Sequence, residues 1–134
     1  MEQLTPEMIE SGRELVQRLE QEGMTIRTAL WLFTAKTGRW TLVLASPEVR
    51  TGGPLALYRK ASKQLARMGN PDHLPVYRVA IVDPKSSEIP LPTGANGGRR
   101  GLAGQRIVDG WIGGVHVDDA YVYRVAPRRV RATA

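Results

Sequence analysis

Apolar residues recur every three to four positions in two stretches of the chain, which is the spacing of one buried helix face. The first stretch follows Thr5, a residue type that caps helix starts, and stops before Gly23. The second starts at Pro54 and stops before Gly69. These limits predict amphipathic helices over residues 6–22 and 54–68.

Runs of β-branched, aromatic and other apolar residues predict strands between and after the helices. The first two runs are joined by a short polar turn at residues 36–38, which favours a β-hairpin. A third run follows Pro75, and the last two are separated by Gly113 and Gly114. The predicted strands cover residues 26–34, 39–46, 76–83, 105–111 and 115–125.

The first six of these elements have the order α-β-β-α-β-β, and the run at 115–125 adds a further strand. This order predicts an α+β fold with an antiparallel sheet and the two helices mainly on one of its faces. A ferredoxin-like β-α-β-β-α-β unit gives the same order when its first strand is moved to the end. At 134 residues the chain has the size of one domain. We expect that domain to span residues 1–126, with a long glycine-rich loop at 84–104 and a basic C-terminal tail at 127–134.

The hairpin has apolar residues on both of its faces. Pairing about the turn places Trp31, Phe33 and Trp40 together on one face. The other face carries Leu30, Leu32 and Val43. Because two helices cover one face of a sheet, the other needs the glycine-rich loop, the C-terminal segment or a second copy to cover it. We expect Trp31, Phe33 and Trp40 to form a homodimer interface or a surface on which nucleic-acid bases stack.

Composition excludes several kinds of site and favours one location. The sequence has no cysteine, so disulfides, thiolate nucleophiles and cysteine-based zinc sites are ruled out. With 42% hydrophobic and 24% charged residues, the chain resembles an ordinary globular protein. It shows neither a leader-like N-terminus nor an apolar run of about 18 residues. We therefore expect a cytoplasmic protein with no membrane partner.

Positive charge is concentrated after the first predicted helix. Residues 1–22 hold six acids and two bases, a net charge of −4, which leaves +10 for residues 23–134 in a chain of net charge +6. A field of this sign attracts polyanions. One basic cluster lies on the second predicted helix and comprises Arg59, Lys60, Lys63 and Arg67. Another lies in the glycine-rich segment at residues 93–106 and comprises Arg99, Arg100 and Arg106. The tail adds Arg128, Arg129 and Arg131.

Both clusters suit contacts with phosphate. The glycine-rich segment lets backbone amides approach an anion, and arginine binds phosphate oxygens in pairs. The segment lacks the G-x-x-x-x-G-K-[ST] pattern, so nucleotide binding through a P-loop is disfavoured. A solvated helix face and a plain surface loop are the simpler interpretations of the same residues.

A catalytic alternative centres on His116 and Asp118. In an extended strand these two side chains project from the same face, where an imidazole and a carboxylate could share a divalent metal or a proton. Asp109 could add a carboxylate from the neighbouring strand. The three residues would resemble a minimal metal-assisted nuclease or phosphodiesterase site.

These observations together favour a small binding domain that contacts DNA or RNA backbone as a homodimer. This function requires no cofactor, and a divalent metal enters only under the nuclease alternative. A third possibility is a structural or regulatory subunit that docks on a partner protein through an apolar sheet face.

Overall fold

The computed structural model describes residues 2–85, 93–94, 104–112, 115–124 and 126–127. It confirms the α+β class and the predicted order of the main elements. The helices are α1 (Pro6–Gln21), α2 (Glu48–Gly52) and α3 (Pro54–Arg67). The strands are β1 (Thr28–Thr34), β2 (Arg39–Ala45), β3 (Val79–Val82), β4 (Thr93–Gly94), β5 (Gln105–Ile112), β6 (Val115–Arg124) and β7 (Ala126–Pro127). The short helix α2 lies between the predicted strand at 39–46 and the predicted helix at 54–68, where no element was predicted.

Five strands form the main sheet in the order β3-β2-β1-β6-β5, and β4 pairs with β7 separately. The sheet is mixed instead of wholly antiparallel, because β2 and β3 run parallel. The chain reaches β3 through α3, and a helical crossover of this kind allows parallel pairing. The last long strand, β6, pairs with β1, whereas a permuted ferredoxin-like order would insert it between β2 and β3.

The β1–β2 hairpin has the register that the apolar pattern predicted. Trp31 pairs with Leu42, and Phe33 pairs with Trp40. Gly38 adopts a φ of 68° in the turn, a left-handed conformation that glycine reaches without strain. The alternation of side chains along both strands therefore divides the hairpin into the two predicted apolar faces.

Helices α1 and α3 pack on the face that carries the hairpin aromatics. Trp31, Phe33 and Trp40 are 0%, 8% and 2% exposed and belong to the main hydrophobic core. This burial does not support their expected role as an interface or a stacking surface, because little ring surface is left for a base or a second copy to contact, and that role stays a prediction. Burial of large aromatic area makes them the centre of the core.

The opposite face of the sheet forms a second apolar cluster. Leu30 and Val43 are 1% and 0% exposed, and Val117 and Ala120 are buried with them. This burial arises within a single chain, so a second copy is not needed to remove these residues from water.

A 3-10 turn at Val76–Arg78 replaces the start of the predicted third strand. The strand itself begins at Val79, three residues later than the sequence indicated. As a result Val76 and Tyr77 are exposed, at 38% and 76%, instead of alternating into the sheet.

None of the helices in the described ranges combines the length and the apolar character that crossing a membrane requires.

Candidate nucleic-acid interface

Helix α3 separates its apolar and basic residues onto opposite sides. Its buried side consists of Leu57, Ala61, Gln64 and Leu65. Tyr58 fixes the helix to the sheet, because its hydroxyl accepts a hydrogen bond from the backbone N–H of Ile81 at 2.9 Å. This anchoring turns the opposite side of α3, which carries the predicted basic cluster, toward solvent.

Three of the four predicted bases on α3 are exposed and have no acidic neighbour on the helix. Arg59, Lys60 and Lys63 are exposed, and no ion pair joins them to another residue that the structure describes. No acidic residue occurs between Glu48 and Asp72. We call Arg59, Lys60 and Lys63 the α3 basic face.

The fourth base, Arg67, is partly neutralised. Its guanidinium donates to the Glu22 carboxylate at 3.1 Å, and Gln64 donates to the same oxygen. This contact ties the end of α3 to the end of α1. Arg67 therefore contributes less to an anion-binding surface than the three preceding bases, although about half of its side chain is exposed, at 51%.

Arg106 is committed to an intramolecular partner. Its Nε and Nη2 atoms donate to the two oxygens of Asp119 at 2.7 and 2.6 Å. These hydrogen bonds raise the pKa of Arg106, and the guanidinium lies 5.2 Å from the centre of the Trp40 ring. A phosphate would have to displace a bidentate carboxylate, so the predicted phosphate role of Arg106 has little support. Arg99, Arg100 and the tail arginines lie outside the described residues.

A cavity of about 560 Å³ opens beside Arg106 at the end of the hairpin. Its lining includes three carboxylates and one guanidinium: Glu2, Asp118, Asp119 and Arg106. The excess of negative charge opposes phosphate, so this cavity is not part of the candidate nucleic-acid interface.

The catalytic alternative is brought together only in part. His116 Nε2 lies 2.9 Å from an Asp109 oxygen, whereas Asp118 accepts a hydrogen bond from the backbone N–H of Ala35 at 3.4 Å. Within the described ranges, no group of three histidine or acidic residues could hold a metal ion. The pair of His116 and Asp109 is exposed, and Trp111 packs edge-on against the imidazole, with ring centres 5.2 Å apart.

Two exposed aromatic residues were not predicted as site residues. Tyr77 is 76% exposed beside α3, and Trp111 is 70% exposed on the edge strand β5. The sequence placed both inside strands, where alternation hides half of the side chains. The available indication for Tyr77 was Pro75, because proline is common in turns and at the start of helical turns.

No family model, curated protein or solved structure shows significant similarity to the chain. The residues of the site are therefore the basis on which a function is assigned.

Proposed function

We propose that the chain is a small binding domain that contacts the backbone of DNA or RNA through the α3 basic face. The observation that carries this proposal is the placement of Arg59, Lys60 and Lys63 on the solvent side of a helix that contains no acid. Homodimerisation stays a prediction, and the burial of the hairpin aromatics does not support it.

Electrostatics supports an anionic partner for this helix. Arg59 and Lys63 are four residues apart, a spacing at which like charges repel by a few tenths of a kcal/mol. A polyanion removes this repulsion, and the condensed counterions that it releases on binding gain entropy. Contacts of this kind position a protein on nucleic acid without selecting a base sequence.

The length of α3 fits such a contact. Its 14 residues make a rod of about 21 Å at 1.5 Å per residue. Duplex DNA presents one negative charge per about 1.7 Å of its axis, so several phosphates lie within reach of the helix.

Charge reversal on α3 tests the proposal. Binding of the wild-type chain to labelled mixed-sequence DNA and RNA is measured by fluorescence anisotropy at about 50 mM salt. R59E/K60E/K63E should lose most of the binding, because each contact with phosphate becomes a repulsion. Arg67 is left unchanged, since its contact with Glu22 joins two helices.

A matched control reverses the charge of three exposed basic residues outside α3. R27E/K36E/K85E changes the net charge by the same amount, and all three residues are exposed and lie outside α3. The proposal predicts that this control keeps binding close to that of the wild type. Absence of wild-type binding, or an equal loss in both triple variants, would contradict it.

The two alternative functions have less support from the described residues. The nuclease hypothesis has the contact between His116 and Asp109 but no three-ligand group. The docking hypothesis relied on an open apolar sheet face, and the central residues of both faces are buried within one chain.

A further inference from the structure

A cleft of about 310 Å³ lies between the second half of α3 and the segment that leads to β3. Helix α3 contributes Ser62 and Leu65, the following turn contributes Asn70 and Asp72, and the 3-10 turn contributes Val76 and Tyr77. We call this the Tyr77 cleft. Its lining combines apolar residues with several polar groups, which suits a ligand that has a flat apolar face and polar edges.

The segment that carries Tyr77 is fixed on both sides of the exposed ring. Before it, His73 lies 2.6 Å from the Ser11 hydroxyl of α1, and Leu74 is fully buried. After it, Arg78 donates to Glu2 and to the backbone carbonyl of Trp40. A ring held on an anchored turn loses little conformational freedom when a ligand covers it.

The Tyr77 cleft adjoins the α3 basic face. Ser62 lines the cleft and is followed directly by Lys63, and Arg59 lies one helical turn before Ser62. A phosphate on Lys63 would thus lie next to the cleft mouth. A base attached to the same sugar-phosphate chain, next to that phosphate, would then lie at the mouth of the Tyr77 cleft.

We infer that the Tyr77 cleft takes an unpaired nucleobase of single-stranded nucleic acid whose phosphates lie on the α3 basic face. The ring of Tyr77 supplies the stacking surface, and Ser62, Asn70 and Asp72 supply donors and acceptors for the base edge. Bases within a duplex are covered on both faces by their neighbours, so they cannot stack on a side chain. The inference rests on the proposed function and adds to the backbone contacts a base contact that only single strands can make.

The test separates base contacts from backbone contacts. Affinity is measured for a single-stranded DNA of about 12 nucleotides and for an abasic oligonucleotide of the same length and charge. The wild-type chain should bind the natural strand at least about fivefold more tightly, which is the lower end of the effect of one stacked base. Y77A should abolish this ratio and leave the affinity for the abasic strand unchanged.

Two further variants control for ring chemistry and for exposed aromatics in general. Y77F keeps the stacking ring and should retain the ratio. W111A removes the exposed aromatic on β5, at the far edge of the sheet, and should also retain it.

A wild-type ratio near one, with the abasic strand still bound, overturns the inference and leaves the proposed function standing. Loss of the ratio in W111A but not in Y77A also overturns it. Absence of binding to either strand contradicts the proposed function, and the inference falls with it.

Discussion

Tyr123 lies where α1 meets the sheet, and its hydroxyl joins a buried indole to the backbone of α1. It accepts a hydrogen bond from the Trp31 indole N–H at 2.9 Å and donates to the backbone carbonyl of Ile9. Burial raises the pKa of Tyr123, so its hydroxyl remains a donor at neutral pH. Gly12 makes this arrangement possible, since a Cβ there would lie 2.5 Å from the Tyr123 hydroxyl oxygen.

Removing the Tyr123 hydroxyl should destabilise the fold. Y123F leaves the buried indole N–H of Trp31 without this partner, and we expect a loss of about 1–3 kcal/mol in the free energy of unfolding. Urea denaturation measures the loss. Y77F is the control, because the Tyr77 side chain is exposed. Equal stability of Y123F and the wild type would show that the hydroxyl contributes nothing.

Adding one methyl group at Gly12 should also destabilise the fold. Alanine forms helices better than glycine by about 1 kcal/mol, but overpacking against Tyr123 and Trp31 costs about 1–3 kcal/mol. G12A should therefore unfold at lower urea concentration than the wild type. G52A is the control, since a Cβ at Gly52 would meet nothing within 4 Å. In G12A/Y123F the closest clash is gone, so the combined loss should be smaller than the sum of the two single losses.

At the residue level, the sequence indicates which side chains are basic, acidic or aromatic, but it does not indicate which residues they contact. Arg106 and Asp119 lie 13 residues apart in the chain, and the β5–β6 pairing brings them into contact. Trp31, Phe33 and Trp40 were correctly placed on one face, but which face the helices cover depends on the whole fold. The exposure of Tyr77 was not predicted, because the strand begins two residues after it and not at Val76.

Glu2 attaches the segment before α1 to the sheet. The Glu2 carboxylate accepts hydrogen bonds from Arg78 and from the backbone N–H of Trp40, and the Glu2 carbonyl accepts one from the Trp40 indole. The hydrogen bond from Arg78 is the main cause that lowers the pKa of Glu2, opposed in part by burial. This contact therefore needs the ionised carboxylate.

The stability of the fold should consequently depend on the ionisation of Glu2. Because its folded-state pKa is below the usual value of 4.5, Glu2 stabilises the fold fully above that pH, and this contribution is lost as the pH falls through the lowered pKa. E2Q should reduce the fall in unfolding free energy between about pH 6 and pH 3. E7Q is the matched control, since Glu7 is exposed in the first turn of α1. Identical pH profiles for E2Q and the wild type would contradict this role.

Among the elements, α1, α3 and the hairpin could be predicted because their signals are local. A helical repeat with a cap, or two alternating runs about a turn, fixes the structure of neighbouring residues. The parallel pairing of β2 with β3 and the contact of β1 with β6 could not be predicted. Such pairings join distant segments, and alternating apolar residues do not specify which strands become neighbours.

Across the whole molecule, folding leaves part of the positive charge unbalanced. Acidic residues at the end of α1 form ion pairs with basic residues of other elements. Glu20 binds Arg124, and Glu22 binds Arg67. The same acids do not reach the middle of α3. The sequence therefore located the basic cluster, whereas the structure distinguishes its neutralised end from the α3 basic face.

The salt dependence of DNA binding tests this account most directly. Affinity for a mixed-sequence duplex is measured between about 50 and 200 mM salt for the wild type and for R59Q/K60Q/K63Q. This variant removes the three positive side chains of the α3 basic face without adding negative ones. Three phosphate contacts correspond to a slope of about −2.7 in a plot of log affinity against log salt concentration. The account predicts that the wild-type slope is at least this steep and becomes shallower by about 2.7 in the triple variant. A slope that the triple variant leaves unchanged would show that α3 does not contact the phosphates.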